Sequence, residues 1–433
     1  MTELIAGPGP HDGYAGGVVA ASDSVMHIFW LSGMSCDGCT VSVMGADTPK
    51  LEDMVLGRVP TIPQIVLHHP MLAEDSGADF MEPYRQAVEG TLGAPYMLVV
   101  EGSIPDDQTF QQGGHFSAMG LGSDWSGAMQ AVRAADQPLR ATDWMWALAP
   151  GAVASIAIGT CATWGGIPAA AGNITGSMSL MDYLGGDYRS TRGLPVINVP
   201  GCAPIGDNFT ETVTQLLQFF EGTGPMPEFD DLGRPAWQFG ETVHRHCVKA
   251  GYYEEGVFAE EPGDNECLVE IGCWGPVVQC NITERGAINH MGGCMVAGGA
   301  CIGCTMPGFP DKYSPFYKAP PGSALSGGVS KVYGGAIRRL RRMSMKTGNR
   351  ESIWDKADRV PSAWAREAGE RGTIQKVNAY FYKKLQYHGS VHHGKRNAKQ
   401  PQPQSLDILR QKGVDLEASV PVLGERVKSE EEI

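Results

Sequence analysis

Short apolar runs set the rhythm of the first 220 residues. They lie at 27–31, 64–67, 96–100, 153–158 and 195–199, and each ends near glycine, cysteine or proline. The runs are nearly continuous rather than alternating, as expected for strands covered on both faces. The segments between them are long enough for helices; in 210–220, Val213, Leu216, Leu217 and Phe220 recur at helical spacing. Buried strands separated by crossovers predict an α/β fold built on a parallel sheet. In such sheets the chemistry collects in loops beyond the carboxyl ends of the strands. Cys36 and Cys39 follow the first run, Cys161 the fourth and Cys202 the fifth. Four cysteines far apart in sequence are therefore expected along one edge of the sheet.

The pattern changes at about residue 225. From there to about 325 the chain holds seven of its eleven cysteines, many glycines and few periodic segments. Such a segment builds no large apolar core, so bound metal is expected to hold it together. A Gly/Ser stretch at 322–328 marks a boundary. In the tail, Ile374, Val377, Phe381 and Leu385 fall near one helical face, and 399–404 (KQPQPQ) reads as an extended linker. The expected organisation is an N-terminal tail (1–25), a sheet domain (26–222), a ligand-rich domain (223–328) and a basic extension (329–433).

Charge sharpens that division. Residues 331–433 carry 21 basic and 12 acidic side chains, a balance of +9. Subtracting these from the chain's 34 basic and 48 acidic residues leaves 13 and 36 in residues 1–330, a balance of −23. A nucleic-acid role for the tail is ranked low, because the body is acidic and the tail has no ordered aromatic or arginine repeat. The segment 144–181 is free of charge, but Pro150, Gly151, Gly159, Gly165, Gly166 and Pro168 interrupt it, so buried strand and loops are expected rather than a membrane span. The first 24 residues show neither a basic region ahead of an apolar stretch nor a twin arginine. A cytoplasmic protein is the expectation, any membrane contact being peripheral and through other partners. Reduced cysteines are then the rule, and metal ligation is the leading reading of eleven of them.

The cysteines and one histidine fall into three sets of four. The first is Cys36, Cys39, Cys161 and Cys202; the second is His244, Cys247, Cys267 and Cys273; the third is Cys280, Cys294, Cys301 and Cys304. Thiolate is the usual ligand of iron–sulfur clusters, with histidine an occasional substitute. Zinc also takes four Cys/His ligands, though usually from two pairs in a short segment. The first set spans 166 residues, from 36 to 202, unlike a zinc ribbon. Plain buried thiols are the third reading. His246 is a rival to His244, and Asp37 reads either as a turn residue capping backbone amides or as an oxygen ligand to iron.

The ordered motifs WLSGMSCDGC, VVEGSIP, GTCATWGG, VPGCAP, HxxC, CLVEIGCWGP and CIGC resemble the small, electron-transferring subunit of nickel–iron hydrogenases, over about residues 26–315. The resemblance implies a flavodoxin-like first domain and three iron–sulfur clusters. The first set would hold the proximal cluster, the third the medial and the second the distal. Many relatives have proline where Cys294 stands and a three-iron medial cluster, so Cys294 implies four-iron clusters throughout. Oxygen-tolerant membrane-bound relatives carry two extra cysteines at the proximal cluster; one position is Gly38 here, and no cysteine is left for the other. Asp37 sits between the two ligands instead, and the resemblance to a soluble, oxygen-insensitive branch implies an alternative to its turn role, in which its carboxylate ligates one iron in place of a neighbouring thiolate. Glu101 matches a recurring position near the contact between subunits and is assigned no catalytic role. The resemblance further implies a large-subunit partner holding the nickel–iron site, an acceptor the sequence does not name, and a higher oligomer of heterodimers. Three roles compete for the tail, a clamp on a second protomer, a docking surface for an acceptor or anionic membrane, and a solvated appendage; Trp354, Trp364, Tyr380, Phe381 and Tyr382 favour the clamp. The cluster-bearing subunit of a quinone-reducing complex is a rival, but it carries one cluster and no second domain.

Overall fold

The structure, a computed structural model, describes residues 24–107, 114–125, 133–314 and 316–317. The expected N-terminal tail, but for its last two residues, and the whole extension 329–433 lie outside the described residues.

The elements run β1 (Val25–Ser32), α1 (Gly38–Met44), α2 (Leu51–Val55), β2 (Gln64–His68), α3 (Gly77–Glu89), β3 (Tyr96–Glu101), β4 (Ala118–Leu121), β5 (Pro138–Arg140), α4 (Ala141–Leu148), β6 (Ala154–Ile158), α5 (Gly159–Trp164), α6 (Leu180–Leu184), β7 (Ile197–Val199) and α7 (Gly206–Phe220). Five strands form one sheet in the order β2-β1-β3-β6-β7, every pairing parallel. These are the five apolar runs, and the order is that of flavodoxin-like sheets. Side chains alternate between two cores. Phe29, Leu31, Leu98 and Val100 pack with α3, α4 and α6. Ile28, Trp30, Met97, Val99 and Ile156 pack with α1, α2 and α7. Both faces are covered, which is why the strands read as apolar throughout.

Two features differ from expectation. The uncharged stretch begins inside a helix, α4, whose Trp144, Met145 and Leu148 are fully buried. From Trp144 onward the helix is apolar on all sides, and that part has no period to reveal it. The antiparallel pair β4–β5 was not foreseen, since β4 is four part-exposed residues with no apolar run. Among the described residues no helix is long and apolar enough to cross a membrane.

Beyond α7 the chain holds only α8 (Ala236–Phe239), α9 (Ala250–Glu255), α10 (Ile282–Arg285) and a single 3-10 turn (Val243–His246) among loops, within the described residues. Its core is small, and Cys273 and Cys301 belong to it beside Val243, Leu268, Val278, Met306 and Phe309. Asn208 of α7 and Asn281 exchange side-chain hydrogen bonds at 2.9 Å, and Trp164 donates to the Thr305 carbonyl at 3.1 Å. The loop-rich part is thus fastened to the carboxyl edge of the sheet.

Candidate metal centres

The first set sits where the parallel strands end. Leaving β1, the chain places Cys36 exposed and Cys39 buried on the first turn of α1; Cys161 lies in α5 after β6, and Cys202 in the loop after β7. Their thiols sense one another. Burial, the Glu101 carboxylate and the neighbouring Cys161 and Cys36 push the Cys39 thiol far up. Burial, Cys202 and Cys36 raise Cys161 to about 11. Neutral thiols so crowded and desolvated gain by giving up their protons to metal. Two glycines make the cradle. A Cβ on Gly159 would lie 2.3 Å from the Cys39 sulfur, and one on Gly166 would lie 2.7 Å from that of Cys161. Both have positive φ, a backbone that side chains rarely tolerate.

Buried Glu101, the last residue of β3, orients this end of α1. Its carboxylate accepts the amide N–H of Cys39 (3.0 Å) and of Thr40 (3.3 Å), the Thr40 hydroxyl (2.5 Å) and the Trp30 indole N–H (3.1 Å). Four donors on one carboxylate fix the position of the Cys39 backbone. Asp37 is the residue before α1, in the left-handed region with φ 58°, a conformation Asp adopts more readily than most. Its side chain makes no capping hydrogen bond, so the turn-capping role is not what the structure shows.

The second set converges on one cavity. His244, Cys247, Cys267 and Cys273 all line it, together with Lys249, Leu268, Val269 and Met295. Burial lowers the His244 pKa, which keeps the imidazole neutral and able to ligate. His246 is engaged elsewhere: its Nε2 lies 3.0 Å from Glu241, and that hydrogen bond raises its pKa. Cys247 accepts the Lys249 amide at 3.4 Å, and Cys273 accepts those of Cys301 (3.3 Å) and Gly275 (3.5 Å). Amides aimed at sulfur orient and tune a thiolate centre from outside its ligand set.

The third set lies between the other two. Burial and then Cys304 push the Cys280 thiol up; burial and Cys294 raise Cys304 to about 12. Toward the first set, the Thr160 hydroxyl donates to the Cys304 carbonyl and accepts from the Gly201 amide at 3.1 Å, beside Cys202. Toward the second, the Cys301 amide is the one bonded to the Cys273 sulfur. Thr160, Lys249 and the full donor set of Glu101 were not foreseen. Nothing in the sequence separates Thr160 from other buried threonines, and Lys249 reads as a surface lysine.

The donor sets suit iron–sulfur clusters: thiolate-rich, bordered by glycine and largely buried, with Cys36, Cys202 and Cys294 at the surface. Among the described residues no three His, Cys, Asp or Glu side chains meet closely enough to hold one metal ion. A tetrahedral zinc needs its sulfurs within ~2.3 Å of one point; a cluster, being a body of several irons and sulfides, spaces its thiolates wider.

Comparisons with known proteins bear on the whole arrangement. The family model for the C-terminal part of the NiFe/NiFeSe hydrogenase small subunit matches residues 239–317. That of the NADH ubiquinone oxidoreductase 20 Kd subunit matches residues 36–216, the sheet and the first set. The periplasmic [NiFeSe] hydrogenase small subunit of Desulfomicrobium baculatum is 33% identical over 67% of this chain and 87% of its own. The Hydrogenase-2 small chain of Escherichia coli K12 is 30% identical over 72% and 79%. Among solved structures, the actinobacterial-type NiFe-hydrogenase from Ralstonia eutropha H16 is 44% identical, covering 82% of this chain and 96% of that one, with a TM-score of 0.68.

Proposed function

The chain belongs to the family of small subunits of nickel–iron hydrogenases, and from that premise we propose how its own residues build an electron relay. It pairs with a large hydrogenase subunit in an oxidoreductase acting on dihydrogen, and the nickel–iron site is the partner's. Iron–sulfur clusters supply one-electron carriers when bound. In our reading there are three, all of four irons. The proximal one is held by Cys36, Cys39, Cys161 and Cys202, with Asp37 able to replace one thiolate. The medial one is held by Cys280, Cys294, Cys301 and Cys304, and the distal one by His244, Cys247, Cys267 and Cys273.

The observation that carries this reading is the middle position of the third set, bonded on one side to the first and on the other to the second. The chain's own contribution is positional. Glu101 fixes Cys39, Thr160 ties the Cys202 loop to Cys304, and burial keeps water from Cys39, Cys267, Cys273 and Cys301. Apolar Val41 (71% exposed) and Met44 on α1, with Ile288 and Met291 (72%) beside them, form the surface we assign to the large subunit. We assign the extension 329–433 to a clamp joining two heterodimers, and the assembly to the cytoplasm; the relative from Desulfomicrobium baculatum is periplasmic by name.

Metal analysis of the purified heterodimer tests the assignment. It predicts about twelve irons per small subunit beyond the partner's own, with matching acid-labile sulfide. Stoichiometric zinc in their place contradicts it.

A further inference from the structure

Lys249 is a buried lysine that belongs to none of the three sets of ligands. It is 9% exposed, precedes α9, and lines the cavity shared by His244, Cys247, Cys267 and Cys273. Its Nζ donates to two backbone carbonyls, Asp264 at 2.5 Å and Glu266 at 3.3 Å. The second of these immediately precedes Cys267. Its own amide donates to the Cys247 sulfur at 3.4 Å. One residue therefore ties together the two segments that deliver Cys247 and Cys267.

The charge is harder to account for than the hydrogen bonds. Among the described residues no carboxylate lies within 4.0 Å of this ammonium. The Asp264 carboxylate is near enough to feel the Lys249 charge, but its hydrogen bonds go to the amides of Glu260 and Glu261, both at 3.0 Å, and not to the ammonium. Carbonyl dipoles solvate an ammonium but do not neutralise it, and a buried unpaired charge is unfavourable. The groups lining its cavity that can take on negative charge are the thiols of Cys247, Cys267 and Cys273.

We propose that Lys249 is a positioning residue of the distal centre, the fixed positive charge that balances the thiolate-bound cluster and raises its reduction potential. This rests on the reading of His244, Cys247, Cys267 and Cys273 as ligands of one cluster. A cation in the wall of a desolvated cavity favours the state with one more electron. Lys249 thus makes the distal centre the easier one to fill at the exit of the chain.

The test is an EPR-monitored redox titration of the distal centre in the heterodimer, with iron analysis of each preparation. Lys249→Gln is expected to keep its iron while the reduced-to-oxidised ratio at fixed solution potential falls about tenfold, equivalent to ~59 mV for one electron. Lys249→Arg, which keeps the charge, is expected to hold that ratio within about twofold of the unmodified heterodimer. An unchanged potential in an iron-replete Lys249→Gln heterodimer overturns the proposal. Should Lys249→Gln lose distal iron, Lys249→Arg decides: retention of iron and potential supports the role of charge, and loss in both variants overturns it. Absence of a distal cluster signal from the unmodified heterodimer overturns the ligand assignment itself, independently of Lys249.

Discussion

Glu101 shows how much of a relay rests on a residue that never touches metal. A buried carboxylate with four donors is held tightly, and each donor left without it costs about 1–3 kcal/mol, not additively. In Glu101→Gln one oxygen becomes an NH2 group facing donors. The expected outcome is a loss of about 2–3 kcal/mol, seen as a lower melting temperature of the heterodimer in calorimetry. Unchanged melting would mean that the Cys39 turn is held by other contacts. Cys294 decides a different question. Cys294→Pro removes a thiolate from the third set, and the oxidised heterodimer is expected to develop a three-iron signal from the medial centre. Asp37 has no capping bond to lose. Asp37→Ser is expected to alter the proximal EPR signal while leaving the melting temperature in place, and an unaltered signal would return Asp37 to the role of turn residue.

At the scale of elements, the carboxyl ends of β1, β3, β6 and β7 bring the first set and Glu101 to one edge, and this much was legible beforehand. Five runs buried on both faces are hard to misread, and the loop positions of Cys36, Cys39, Cys161 and Cys202 follow from parallel order. What stayed hidden was hidden for physical reasons. The α4 helix is apolar all round from Trp144 onward, and β4 is too exposed to show a strand pattern. Lys249 becomes informative only once the loop 264–267 folds over it, and Thr160 once Cys304 arrives beside it. The close approach at Gly159 was equally unreadable, yet it yields a sharp expectation. Gly159→Ala places a methyl 2.3 Å from the Cys39 sulfur at a φ of +80°. The variant is expected to lose the proximal cluster, about four irons of some twelve, with medial and distal signals retained.

On the scale of the whole molecule, the sheet domain and the loop-rich domain divide the work. The sheet supplies rigidity and the first set of cysteines; the loop-rich part carries the other two sets, has Cys273 and Cys301 in its small core, and reaches back to the sheet through Asn281 and Cys304. An apolar surface around α1 lies beside the first centre, where electrons from a partner would arrive. Met44→Glu combined with Met291→Glu is expected to abolish co-purification of the large subunit, and normal recovery of the pair would move the interface elsewhere. The proposed relay needs three clusters in a line, all of four irons. Low-temperature EPR of the heterodimer, fully reduced and then fully oxidised, measures this most directly. Three mutually interacting reduced clusters and no three-iron signal on oxidation are the predicted result; fewer than three clusters, or a three-iron signal from the unmodified protein, would contradict it.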